Sequence, residues 1–251
     1  MPIPRRMLPT LLLPGLAAGQ ERPRPMPAEA PEGQALVARL REGGLVLFFR
    51  HADTRGEPCD RSYRIGDRAG QRNLAPEGRA QAVRLGARLA ALGIPIAGPV
   101  LAGPVFRARD TAELAFGTAR VAVTDSLLAD DYAGARLDWV IAEHRRLLAA
   151  PVPPGGNRVL VGHRTPAIMV FGDAVAGRAF PEGAALVVAP RGAPADVAPQ
   201  GAPANVMPQG TPVDVMPQGA ASARMRRGEG GTLLGILLLA PLPEGGFHAC
   251  Q

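Results

Sequence analysis

The sequence predicts a three-layer α/β/α protein with a mostly parallel central sheet. Two observations predict it. Short apolar runs alternate along the chain with amphipathic segments of helical period. Two of the four histidines, His51 and His163, each stand directly after such a run. In an open α/β sheet the ligand site lies beyond the carboxyl ends of the strands, so the second observation places a candidate site as well as a fold. A chain of 251 residues suits one domain with a sizeable core.

Taken in order, the expected strands are Leu45 to Phe49, Val100 to Ala102, Arg120 to Val123, Val159 to Val161, Ala185 to Ala189 and Leu233 to Leu239. The first expected helix is "QALVARLREGG", closed by Gly43 and Gly44. Between the first two strands, "PEGRAQAVRLGARLAALG" places Ala82, Leu85, Leu89 and Leu92 on one helical face, with Pro76 in the first turn and Gly93 at the exit. "FRARDTAELAFG" and "RLDWVIAEHRRLLAA" are further helices. "TPAIMVFGDAVAG" should start another, with Thr165 as N-cap and Pro166 at the first helical position. The last two strands would pair as an antiparallel hairpin.

The flanks read differently. Residues 1–19 carry two arginines, an apolar run and then small residues, the layout of a secretory signal peptide, and imply a periplasmic or secreted location. A Pro-rich leader on an unexported protein is the competing reading. Residues 20–33 read as a Pro-rich linker, which leaves 34–251 as the folded domain. From about 190 to 230 the chain repeats with a period of nine ("PRGAPADVA", "PQGAPANVM", "PQGTPVDVM"), too rich in Pro and Gly for a packed core, so a disordered insertion in the hairpin is expected. The only cysteines, Cys59 and Cys250, would pair in an oxidising compartment or stand as isolated thiols.

The net charge of +6 comes entirely from arginine, spread along the chain, and aromatics make up 4%. A stacking surface for nucleic acid is therefore not expected, and no apolar run is long enough to span a bilayer. The expected partner is a small phosphorylated molecule, because basic groups converge where the topology puts a ligand. Arg50 precedes His51, and Arg107 lies in the first turn of the helix after "LAGPV". Free N–H groups at that helix start favour an anion, and the arginine adds a permanently charged fork. Two arginines and two histidines at one sheet edge suit a phosphate dianion.

These residues resemble the histidine phosphatase superfamily, the phosphoglycerate mutase-like fold. The resemblance rests on "FFRHADT", on "RNLAPEGRAQAVRLG", on "GPVFRARDTA" and on "VLVGH", four segments in order. It implies that His51 attacks phosphorus and becomes a phosphohistidine, that Arg50, Arg107 and His163 hold the phosphoryl oxygens, and that neither a metal nor another cofactor takes part. It also requires a carboxylic acid for the leaving group. One branch supplies this directly after the second histidine, where this chain has Arg164; the other places a glutamate in the region here occupied by "SLLADDYAG". Asp130 matches that position best, with Asp131 as the alternative.

Two other departures stand out: Gly103 occupies a position where serine is usual, and Glu57 replaces the asparagine of the mutases, which favours a phosphatase. The resemblance thus implies a metal-independent phosphomonoesterase of the small exported type. A phosphate-binding protein with little catalysis and a phosphohistidine protein phosphatase are the alternatives.

Overall fold

The computed structural model describes residues 23–191 and 230–242. The expected leader, most of the nine-residue repeats and Cys250 lie outside the described residues. Within them the order is β1 Pro25–Pro27, α1 Pro31–Glu42, β2 Val46–Arg50, α2 Pro76–Ala91, β3 Val100–Ala102, α3 Phe106–Phe116, β4 Val121–Val123, α4 Asp130–Ala133, α5 Leu137–Ala149, β5 Arg158–Gly162, α6 Arg164–Phe171, β6 Ala185–Ala189 and β7 Thr232–Leu238. The sheet runs β1-β7-β6-β2-β5-β3-β4. Its neighbours are parallel except where β6 pairs with β2 and with β7.

The mostly parallel sheet is therefore observed, and so is the β6–β7 hairpin. The strand β2 is buried along its whole length, as a central strand covered on both faces must be. Its alternation then divides the core. Leu47 and Phe49 pack with Leu36 and Leu40 of α1, Leu85 and Leu89 of α2 and Ala112 of α3. Val46 and Phe48 pack on the opposite face with Leu147 and Leu148 of α5, Ala167 of α6 and Phe180. Burying each phenylalanine stabilises the fold by about 1.5–3 kcal/mol, so the strand that ends in Arg50 and His51 is firmly seated.

Two expectations are corrected. The segment read as a linker over 20–33 contributes Pro25–Pro27 as an edge strand on β7, and α1 begins at Pro31. Proline lacks an N–H to donate, which the outer side of an edge strand does not need, and Pro31 suits the first turn of a helix. The helix α6 begins at Arg164 with His163 as N-cap, two residues earlier than Thr165 and Pro166 suggested. Proline is tolerated anywhere in the first turn because those N–H groups have no intrahelical partner.

Candidate active site

Arg50 and Gly162 are register partners in β2 and β5, so His51 and His163 leave the sheet edge side by side. The His51 N–H donates to Gly162 O at 3.0 Å, and the two rings stand 5.4 Å apart at 55°. Both histidines are buried. His51 Nδ1 lies 2.9 Å from Ala52 O. A carbonyl can only accept, so Nδ1 carries the proton and Nε2 keeps its lone pair. Nε2 makes no hydrogen bond among the described residues. Burial, then Arg50, Arg107 and His163, hold the imidazole well below its ordinary pKa, so it is neutral at pH 7.

The loop after His51 is fixed from two helices. Thr111 Oγ1 of α3 accepts the Ala52 N–H at 2.9 Å and donates to Arg107 O at 2.7 Å. Gln81 of α2 accepts the Asp53 N–H at 3.0 Å through Oε1, while its Nε2 donates to Glu182 O and Ala240 O. Gly78 lets α2 approach this closely, because a Cβ there would sit 1.9 Å from Asp53 O. The Gln and Thr of the two helical motifs thus position the loop after His51.

Arg50 donates Nη1 to Phe180 O and Nη2 to Glu182 Oε1, each at 3.0 Å. Burial lowers its pKa to about 10 despite the Glu182 carboxylate, and burial likewise raises Glu182. Thr54 holds Glu182 in place through its N–H and its hydroxyl. Arg107 directs Nη1 to both Asp60 oxygens at 3.1 Å. Two buried nitrogens, Arg50 Nε and His163 Nε2, have no partner among the described residues. Such groups are costly to bury unpaired, and both belong to side chains lining one cavity of about 180 Å³.

That cavity is also lined by His51, Thr54, Asp60, Arg72, Arg107, Asp130, Asp131, Arg164, Thr165 and Glu182. It brings together every candidate catalytic or phosphate-binding residue that the sequence singled out: Arg50, His51, Arg107, Asp130, Asp131 and His163. Asp130 is partly buried and hydrogen-bonded to the Thr165 side chain, whereas Asp131 is exposed. Burial and the neighbouring Asp131 raise Asp130 above its ordinary value. A carboxyl so shifted is better suited to donate a proton near neutral pH.

Sequence reasoning missed Glu182, Asp60 and Arg164 as parts of this wall and Tyr132 as a donor to Asp60, and did not assign a role to Arg72 although it opens the quoted "RNL" motif. Arg72 bonds Thr54 O through Nε and Nη2. A buried Arg50 signals that a carboxylate must lie near it, yet nothing local picks out Glu182, 132 residues away. Gly103 has a packing reason, since a Cβ there would lie 2.2 Å from Leu127 O. Its departure from serine does not argue against catalysis. Cys59, next to Asp60, is disulfide-bonded. Among the described residues no helix is long and apolar enough to cross a membrane. A larger hollow lined by Arg84, Arg88, Leu239 and Pro241 shares no residue with the His51 cavity and holds no nucleophile.

No curated protein sequence matches this chain. Among solved structures it is similar to a protein assigned as phosphohistidine phosphatase SixA from Agrobacterium tumefaciens, with 18% identity, a TM-score of 0.39, and coverage of 59% of this chain and 93% of that one. A mycobacterial glucosyl-3-phosphoglycerate phosphatase bound to VO3 gives 21%, 0.41, 58% and 92%. The protein histidine phosphatase SixA with tungstate gives 16%, 0.36, 57% and 86%. At the level of sequence, the profile of the histidine phosphatase superfamily (branch 1) matches residues 46–134. The matched stretch runs from β2 to α4 and carries Arg50, His51, Arg107 and Asp130.

Proposed function

We propose that this chain is a metal-independent phosphomonoesterase that works through a phosphohistidine at His51. The observation that carries this reading is the open Nε2 of a neutral, oriented His51 beside two buried unpaired nitrogens, Arg50 Nε and His163 Nε2. A phosphoryl group in the cavity would give both nitrogens an acceptor. His51 Nε2 attacks phosphorus in line, the P–N bond forms as the ester P–O bond breaks, and Asp130 gives its proton to the leaving oxygen. Water then attacks the phosphohistidine, Asp130 takes up a proton from it, and inorganic phosphate leaves. Arg50, Arg107 and His163 hold the equatorial oxygens while charge redistributes. The small cavity, below the ~300 Å³ of typical ligand pockets, suits a phosphoryl group and leaves the alcohol at the mouth.

The test is hydrolysis of a generic aryl phosphate in the presence of a chelator, with His51→Ala as control. Turnover in the native chain and its loss in the variant support the reading, and undiminished turnover in the variant refutes it. A periplasmic or secreted location is part of the same proposal, supported by the leader-like residues 1–19 and by a disulfide-bonded Cys59. Sequencing the mature N-terminus from cell fractions tests it, with cleavage near residue 19 expected.

A further inference from the structure

Four arginines (Arg50, Arg72, Arg107 and Arg164) and four carboxylates (Asp60, Asp130, Asp131 and Glu182) line the cavity. Glu182 lies beneath Arg50, and Asp130 has a place in proton transfer. Asp60 has neither role, yet it is the most elaborately held acid of the set. It accepts from Arg72 N–H at 2.7 Å, from Tyr132 O–H at 2.6 Å, and through both oxygens from Arg107 Nη1 at 3.1 Å. Its side chain and that of Arg107 are each about one-tenth exposed, so solvent screens this charge weakly.

The loop that presents it is tied down on both sides. Arg61 and Ser62 N–H groups donate to Gly70 O, and Arg68 at the far end forks onto Asp110 of α3 at 2.6 and 2.8 Å. Tyr132 is packed edge-on by Tyr63 from the same loop, 5.4 Å between centroids. Asp60 is thus a built feature of the wall, not a passing side chain.

We infer that Asp60 is a fixed counter-charge that sets the affinity of the site for phosphate. Building on the proposed phosphatase reading, its carboxylate shares Arg107 with the phosphoryl oxygens and repels a dianion at close range. Without it Arg107 would keep its full charge for the product phosphate and hold it more tightly. With it, phosphate binds weakly enough to leave, because only interactions stronger in the transition state than with product speed turnover. Asp60 is a positioning and affinity-setting residue that acts through Arg107.

The test measures binding of inorganic phosphate to the native chain, to Asp60→Asn and to Asp60→Ser by titration calorimetry, alongside product inhibition. Both variants keep an acceptor for the Arg72 N–H and remove the charge. Roughly tenfold tighter phosphate binding and a matching fall in the product inhibition constant are expected, the reverse of what loss of a merely structural contact would give. Unchanged or weaker binding in a folded variant overturns the inference and leaves the phosphatase reading standing. Failure of all three proteins to bind phosphate overturns the phosphatase reading, and this inference with it.

Discussion

The His51 and His163 rings lie 5.4 Å apart because the strands that carry them are parallel neighbours in register, Arg50 opposite Gly162. A one-residue slip would send one of the two side chains to the other face of the sheet. The core residues that fix this register, Val46 and Phe48 on one face and Leu47 and Phe49 on the other, therefore also set the spacing of the two histidines.

Asp130 and Asp131 can be told apart by the leaving group. Asp130→Asn should lower kcat by about 10²- to 10⁴-fold on an alkyl phosphate, the usual contribution of a general acid. It should cost far less on a nitrophenyl phosphate, whose leaving group needs no proton. Asp131→Asn, on an exposed side chain, should change either rate little. Equal effects of the two variants on both substrates would contradict the assignment.

The pH profile of kcat/KM follows from opposite shifts. His51 is held well below 6.5, so it stays unprotonated and nucleophilic at neutral pH, and the acid limb lies below that value. Asp130 is raised above 3.8 and must be protonated to act, so activity falls as pH rises through its folded pKa. A bell with its maximum on the acid side of neutrality is expected, and Asp130→Asn should lose the alkaline limb. An alkaline limb unchanged in that variant would exclude Asp130.

Glu182→Ala should be among the most destabilising single changes. It strands the Arg50 guanidinium in a buried site, and breaking such a pair costs about 3–5 kcal/mol. For a domain of this size that is roughly a 10 °C fall in Tm, readable by calorimetry. A shift of only a degree or two would show that Arg50 is not held by Glu182.

His144 tests the acid stability of the fold. It is fully buried against Phe48, and that burial lowers its pKa to about 4 in the folded chain, against about 6.5 when unfolded. Between those values the unfolded chain binds the extra proton, so stability falls as pH drops from about 6.5 toward 4. The amount is on the order of 3 kcal/mol. Urea melts of His144→Leu should show a shallower loss over that window than the native chain. Parallel pH dependence in the two proteins would contradict this.

The strands were legible in the sequence because buried β runs such as "LVLFF" are bounded by turn residues, and each appears within one residue of its expected ends. The convergence of His51, Arg50 and Arg107 on one cavity was legible because strand ends and helix starts are where a parallel sheet binds an anion. The counter-charges were not. Glu182 and Asp60 act on arginines 132 and 47 residues away, and no local pattern distinguishes them from other loop acids. The edge strand Pro25–Pro27 was hidden by its own prolines, whose composition is that of a linker.

The most direct test of the central claim is to trap the intermediate. The native chain is mixed with excess aryl phosphate, quenched in denaturant at alkaline pH, where phosphohistidine survives, and digested for mass spectrometry. An added phosphoryl mass on the peptide containing His51, lost on brief acid treatment and missing from His51→Ala, is the predicted result. Turnover with the phosphoryl group on another residue, or with full activity retained in His51→Ala, would contradict it.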